Sequence, residues 1–297
     1  MEIGGYRELD LRTGLEYYAK EQPARLNMGR SGIYHALRCL NCKKVLMPYY
    51  QCETVRDFLL KKDIEVQYYH IGENLLPTCV NSEDRIAIVL VNYFGLIPQS
   101  ELERFVKHNR NVIIDNTQGF YQANIHGAYS VYSPRKFFGV PDGCYVIGPA
   151  AGRFLEGYEQ DYSAETATFL LQRIETGGNT NYAQYQKSEQ RLERSDIRRM
   201  SKLTYALLDN IDYESIKAIR QKNYDYAAQR FAMINELPPT VLKREVNQVP
   251  MVYPLVISDD KLRYYLKDNN IFVGQWWKYL LDNQEITTFE RKLSRYL

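Results

Sequence analysis

The chain has 297 residues, enough for one large domain or two modest ones. Hydrophobic residues at 45% and charged residues at 25% exclude a disordered chain and provide a full core. Lys and Arg number 38 against 36 Asp and Glu, so no strong field selects nucleic acid or an anionic membrane as partner.

Tyr is the unusual residue, 26 copies against 11 Phe and 2 Trp. It suits half-wet surfaces such as pockets, interfaces and sugar-facing walls, and it also packs in cores. Five Cys is an odd count. A disulfide scaffold is therefore not expected, and a reducing, cytoplasmic setting is the simpler reading. Cys39 and Cys42 form a C-x-x-C with no second pair and no paired His, so packing at a helix end is expected and no metal site. The first ten residues carry early acids and no apolar stretch, unlike a signal peptide. The longest apolar run, 86–91, is far short of the roughly 20 residues that span a bilayer.

In chain order, Ile33, Ala36, Leu37 and Leu40 mark one face of a helix. A short buried strand is predicted at 44–48, a helix at 52–62 and a strand at 64–69. The continuous apolar run at 85–91 reads as a strand covered on both faces. A helix at 101–108 and a strand at 111–115, ending in an acid, come next. Two neighbouring strands are predicted at 128–133 and 144–148. This alternation predicts an α/β fold with a mainly parallel sheet sandwiched by helices. Beyond residue 150 the spacing is helical over 160–176 and 184–235, punctuated by Gly177 and Gly178. The tail predicts strands at 252–257 and 271–274 around a helix at 259–268, a small C-terminal α+β domain. The expected division is a large domain over 1–160, a helical connection over 161–235 and the small domain over 236–297.

Ligands of such sheets bind beyond the carboxyl ends of the strands. Gly29, Arg30, Ser31 and Gly32 open the first helix, where free backbone N–H groups and the helix dipole suit a phosphate. The alternative is an ordinary turn with Ser31 as helix cap. Asp115 ends a strand and suits a protonated ligand group; a helix cap is again the alternative. Lys136 stands beside Arg135 and before Phe137 and Phe138. Desolvation and a neighbouring cation both lower an amine's pKa and make it nucleophilic, whereas a solvated surface Lys is the plain alternative. Residues 48–52 and 92–95 each follow a strand, and Tyr49 and Tyr93 there serve either the site or the core. A phosphate turn, a strand-end acid and a hydrophobic Lys are the three groups that pyridoxal phosphate requires.

With these motifs the chain resembles the DegT-type sugar aminotransferases among the fold-type-I pyridoxal-phosphate enzymes. The resemblance rests on Gly29 to Gly32, on Pro48 to Cys52, on Tyr93 to Gly95, on Asp115 with Gln118, and on Lys136 with Asp142 and Gly143. It covers residues 25–148 and implies an aspartate-aminotransferase-like large domain. It implies that Lys136 forms the Schiff base and that Asp115 partners the ring nitrogen, with Gln118 near the ring hydroxyl. Cys52 stands where a flat aromatic often covers the ring, and Arg30 where a Thr is common. The family's Ser five residues before the Lys is Val131 here, with Ser133 as the substitute. Asn181 corresponds to an Asn that reaches the phosphate from a neighbouring subunit. The implied activity is transfer of an amino group from an amino acid to a keto-sugar, nucleotide-linked, in surface-polysaccharide assembly, by a homodimer. The tail is shorter than is usual in the family. A degenerate relative serving as a binding or scaffold protein is therefore the alternative, and a related sugar dehydratase a second one, disfavoured because Lys136 is present.

Overall fold

A computed structural model of the chain describes residues 5–178 and 180–297. Residues 1–4, which open the segment judged unlike a signal peptide, and Asn179 in the glycine turn lie outside the described residues. The first half runs β1 (Ala24–Leu26), α1 (Gly29–Leu40), β2 (Lys44–Pro48), α2 (Glu53–Leu60), β3 (Glu65–Tyr69) and β4 (Ile86–Val91). It continues with α3 (Gln99–His108), β5 (Val112–Asn116), β6 (Tyr129–Tyr132) and β7 (Cys144–Ile147). The seven strands form one sheet in the order β1-β7-β6-β5-β4-β2-β3. β3, β2, β4, β5 and β6 are parallel, and β7 runs antiparallel to both β6 and β1. The mainly parallel sheet read from the sequence is therefore present.

Local chemistry explains the order. Every residue of β4 and β5 is buried, as continuous apolar strands covered by helices on both faces require. β2 is flanked by β3 and β4, so the chain winds outward on one side and then the other. The carboxyl ends next to such a reversal leave a crevice. α1 packs tightly on the sheet because Gly32 has no side chain: a Cβ there would lie 2.6 Å from Cys144 Sγ and 2.7 Å from Val131 Cγ1.

The second half is helical: α4 (Thr168–Thr176), α5 (Tyr182–Arg194), α6 (Lys202–Leu208), α7 (Tyr213–Phe231), α8 (Pro239–Leu242), α9 (Leu262–Asp268) and α10 (Thr288–Tyr296). The helix expected at 259–268 is α9. The strands expected at 252–257 and 271–274 are not formed, and the tail's regular structure is entirely helical. The backbone donors there find single acceptors instead of a ladder. Val256 N donates to Asn235 Oδ1 at 3.2 Å and Ser258 N to Glu236 Oε1 at 2.6 Å, while Pro254 has no donor. Ile271 N returns to Leu266 O at 2.8 Å.

The tail shares the sheet's core. Leu280, Ile286, Leu293 and Leu297 are buried in the same apolar cluster as β2, β4 and β5. Glu290, fully buried, ties α10 to the segment after β3: its carboxylate accepts from Ile71 N at 3.0 Å and lies 3.0 Å from His70 Nδ1. The same carboxylate accepts from Thr287 N at 2.8 Å, completing a capping box. No described helix is long and apolar enough to cross a membrane.

Candidate active site

A cleft of about 350 Å³ opens at the carboxyl ends of the parallel strands. Gly29 and Arg30 of α1, Gln51 and Cys52 after β2, Asp115, Thr117 and Gln118 from β5, and Ser133 and Lys136 after β6 line it. Four separate stretches of sequence thus deliver their polar residues to one place.

At the start of α1, Met28 occupies the cap position in an extended conformation and provides no side-chain cap. Ser31 lies inside the helix, so the cap role considered for it is not realised. Gly32 N is the first to bond back, to Met28 O at 3.0 Å. The N–H groups of Gly29, Arg30 and Ser31 have no partner within the helix. Ser31 Oγ is buried and has no hydrogen-bond partner among the described residues. Donors of this kind suit an anion, although Ser31 itself is fully buried and does not line the cleft.

Asp115 is 4% exposed, and both carboxylate oxygens are held. Oδ1 accepts from Thr117 N at 3.0 Å and Oδ2 from Gln51 Nε2 at 3.1 Å. No helix follows β5 directly, so Asp115 is not a helix cap. Lys136 ends a 3-10 turn, Pro134–Lys136, that hangs from β6. Its Nζ donates to Thr117 Oγ1 at 3.1 Å, so Thr117 touches both the acid, through its N–H, and the amine. Phe137 and Phe138 anchor the turn in an aromatic cluster with Phe120, and Arg220 Nη2 donates to Phe137 O at 3.0 Å.

Lys136 is solvent-exposed along the cleft, yet protein surrounds its side chain on the other sides. That enclosure pushes its amine below the ordinary 10.5; Asp115 pulls part of the way back, and Arg135 adds to the lowering. The amine is then neutral, and nucleophilic, at a lower pH than a surface Lys. In the ligand-free protein, the rate at which Lys136 reacts with an amine-directed reagent should reach half its limit below pH 10.5. A midpoint at or above that value would refute the enclosure.

The other expected residues divide. Gln118 lines the cleft, but its Oε1 accepts from Phe94 N at 2.8 Å, so it also fixes the Tyr93–Gly95 turn. Ser133 is buried at the cleft wall, whereas Val131 is fully buried beneath α1. Cys52 borders the cleft with its Sγ 3.2 Å from Thr54 Oγ1. Arg30 donates to Leu192 O of α5, and Arg135 pairs with Glu189 of the same helix. α5 thereby covers the end of the cleft where α1 begins. Asn181 is not brought to the cleft of its own chain. Its amide is bound in the α4–α5 turn, to Gln172 O at 3.0 Å and Gly177 O at 2.8 Å.

Tyr93 serves the core, with its hydroxyl donating to Tyr50 O at 2.5 Å. Tyr49 stacks on Tyr68 and His70 at 4.7 and 4.8 Å. Trp277 lines the cleft and packs edge-on to Tyr50 at 4.5 Å, whereas Trp276 packs on Phe94. Asp142 lies away from the cleft: it accepts from Ser201 N at 2.8 Å and Ser201 Oγ at 2.6 Å and so fixes the start of α6. Thr117, Gln51 and Glu189 had no assigned role in the sequence. The first two lie inside the motifs Pro48 to Cys52 and Asp115 to Gln118, and that membership is the one signal that pointed to them.

No protein-family model matches the chain, and no curated protein matches it in sequence. Solved structures do match. Sugar aminotransferase CalS13 from Micromonospora echinospora is 14% identical, with a TM-score of 0.60 over 92% of this chain and 80% of that one. DesV from S. venezuelae, in complex with a ketimine intermediate, is 15% identical, with a TM-score of 0.55 over 92% and 77%. NtdA from Bacillus subtilis, with bound cofactor PMP, is 11% identical, with a TM-score of 0.57 over 92% and 67%. This chain therefore has the fold of these three proteins, one of them a sugar aminotransferase.

Proposed function

We propose that the chain is a pyridoxal-phosphate-dependent aminotransferase that passes an amino group from an amino acid to a keto-sugar, nucleotide-linked. The observation that carries this reading is the meeting of the Lys136 amine and the Asp115 carboxylate at Thr117 in one cleft. The fold shared with CalS13 and the cofactor held by NtdA support it.

The residues fit the cofactor. The orphaned Ser31 hydroxyl and the free N–H groups of Gly29, Arg30 and Ser31 would take the phosphate. Asp115, fixed by two donors, would hold the proton on the ring nitrogen. Cys52, with Gln118, would border the ring. When bound, pyridoxal phosphate would supply an aldehyde that bonds an amine and a protonated ring that accepts the electron pair a departing α-proton leaves behind. Lys136 would hold the aldehyde and, once freed by the amino donor, its amine would take the α-proton and return it to the former aldehyde carbon, across the intervening nitrogen. Its lowered pKa suits both roles. Trp277 offers a sugar an aromatic wall. A homodimer in the cytoplasm belongs to the same proposal, with Asn181 of the partner near the phosphate.

The test is reconstitution. The purified protein incubated with pyridoxal phosphate should absorb in the visible, and borohydride should fix one cofactor per chain on the Lys136 peptide. Amine transfer from glutamate to a panel of keto-sugars then identifies the acceptor. Label on other lysines alone would reject the assignment.

A further inference from the structure

Gln51 has no part in the roles given so far, yet its placement is demanding. It is 3% exposed, and its Nε2 donates to Asp115 Oδ2 at 3.1 Å. Its Oε1 is buried with no donor among the described residues. A side chain kept at this depth for packing alone would be apolar, because an orphaned buried acceptor is costly. The amide is thus retained for what its nitrogen does. Asp115 has one other donor, the Thr117 N–H on Oδ1, and a carboxylate held at one oxygen still turns about its bond to Cβ. A second donor on Oδ2 fixes its plane.

Gln51 is itself held from the tail. Tyr279 Oη donates to Gln51 O at 2.7 Å, and the neighbouring Tyr50 packs against Trp277. The strand-end loop after β2 therefore cannot swing away from Asp115 without breaking contacts to the C-terminal segment.

We infer that Gln51 is a positioning residue that orients Asp115 toward a ligand's protonated ring nitrogen, an inference that rests on the cofactor reading above. Gln51 acts through Asp115 and makes no demand on the rest of the ligand.

The experiment compares two ligands by quenching of tryptophan fluorescence, for which Trp277 lies in the cleft. One is pyridoxal phosphate; the other is its analogue with carbon in place of the ring nitrogen, which has nothing for Asp115 to hold. The wild type should bind pyridoxal phosphate more tightly than the analogue. Gln51→Met should lose about tenfold in affinity for pyridoxal phosphate and less than about twofold for the analogue. Gln51→Leu provides the same comparison if the Met variant does not fold, and circular dichroism confirms the fold of each. An equal loss for both ligands, or no loss for either, would overturn the inference while leaving the cofactor reading intact. A wild type that binds neither ligand, or both equally, refutes the role proposed for Asp115 and the inference with it.

Discussion

Lys136→Ala is expected to abolish the visible absorption that the wild type acquires with pyridoxal phosphate and to lower amine transfer by ~10⁴-fold or more. Two functions disappear together. The amine that holds the aldehyde is gone, and so is the base that moves the proton afterwards. Among the described residues no other lysine lines the cleft to replace it. The donors proposed for the phosphate at the start of α1 remain, so the variant should still bind the cofactor, now without a covalent bond. Cofactor-free Lys136→Ala should be at least as heat-stable as the wild type, because enclosure already disfavours the charged amine. Retained visible absorption, or turnover within about tenfold of the wild type, would show that this lysine is not the reacting group.

Glu290→Ala should be the most damaging substitution outside the cleft, with a loss of about 3–5 kcal/mol in unfolding free energy. The carboxylate is 0% exposed and serves donors from two regions: Thr287 N within its own helix, and Ile71 N and His70 Nδ1 beyond β3. Removing it strands Ile71 N in a buried setting, where an unpaired donor is expensive, and leaves the part-buried Thr287 N and His70 without their acceptor. Glu290→Gln keeps one acceptor oxygen and should lose less. Urea unfolding of the ligand-free protein measures both. A loss below about 1 kcal/mol for the Ala variant would show that the tail is held by its apolar contacts alone.

The sheet was legible wherever periodicity and length agree. β2 to β7 and the helices between them follow from continuous apolar runs alternating with helical spacing. β1, three residues long, carries too little pattern to be read. The tail was misread as partly β because apolar runs at 252–257 and 271–274 look like strands. Whether such a run joins a sheet depends on an edge to pair with, and here side chains such as Asn235 and Glu236 take its donors.

The candidate site divides in the same way. Asp115 and Lys136 were legible because their chemistry is local: an acid at a strand end, and an amine beside two phenylalanines. Ser31 was legible as a donor but ambiguous as a cap until the helix start was seen at Gly29. Thr117, Gln51 and Glu189 matter through partners 19, 64 and 54 residues away, a relation that no spacing along the chain displays. Asn181 was singled out through the family resemblance, and in its own chain the α4–α5 turn satisfies its amide locally.

Trp277 belongs to the cleft, and α10, which starts eleven residues later at Thr288, is moored beside β3 by Glu290. Filling the cleft and seating α10 should therefore be one linked equilibrium. A ligand that never touches α10 should slow amide hydrogen exchange along it, and a protease cut near residue 283 should cost the protein its grip on that ligand.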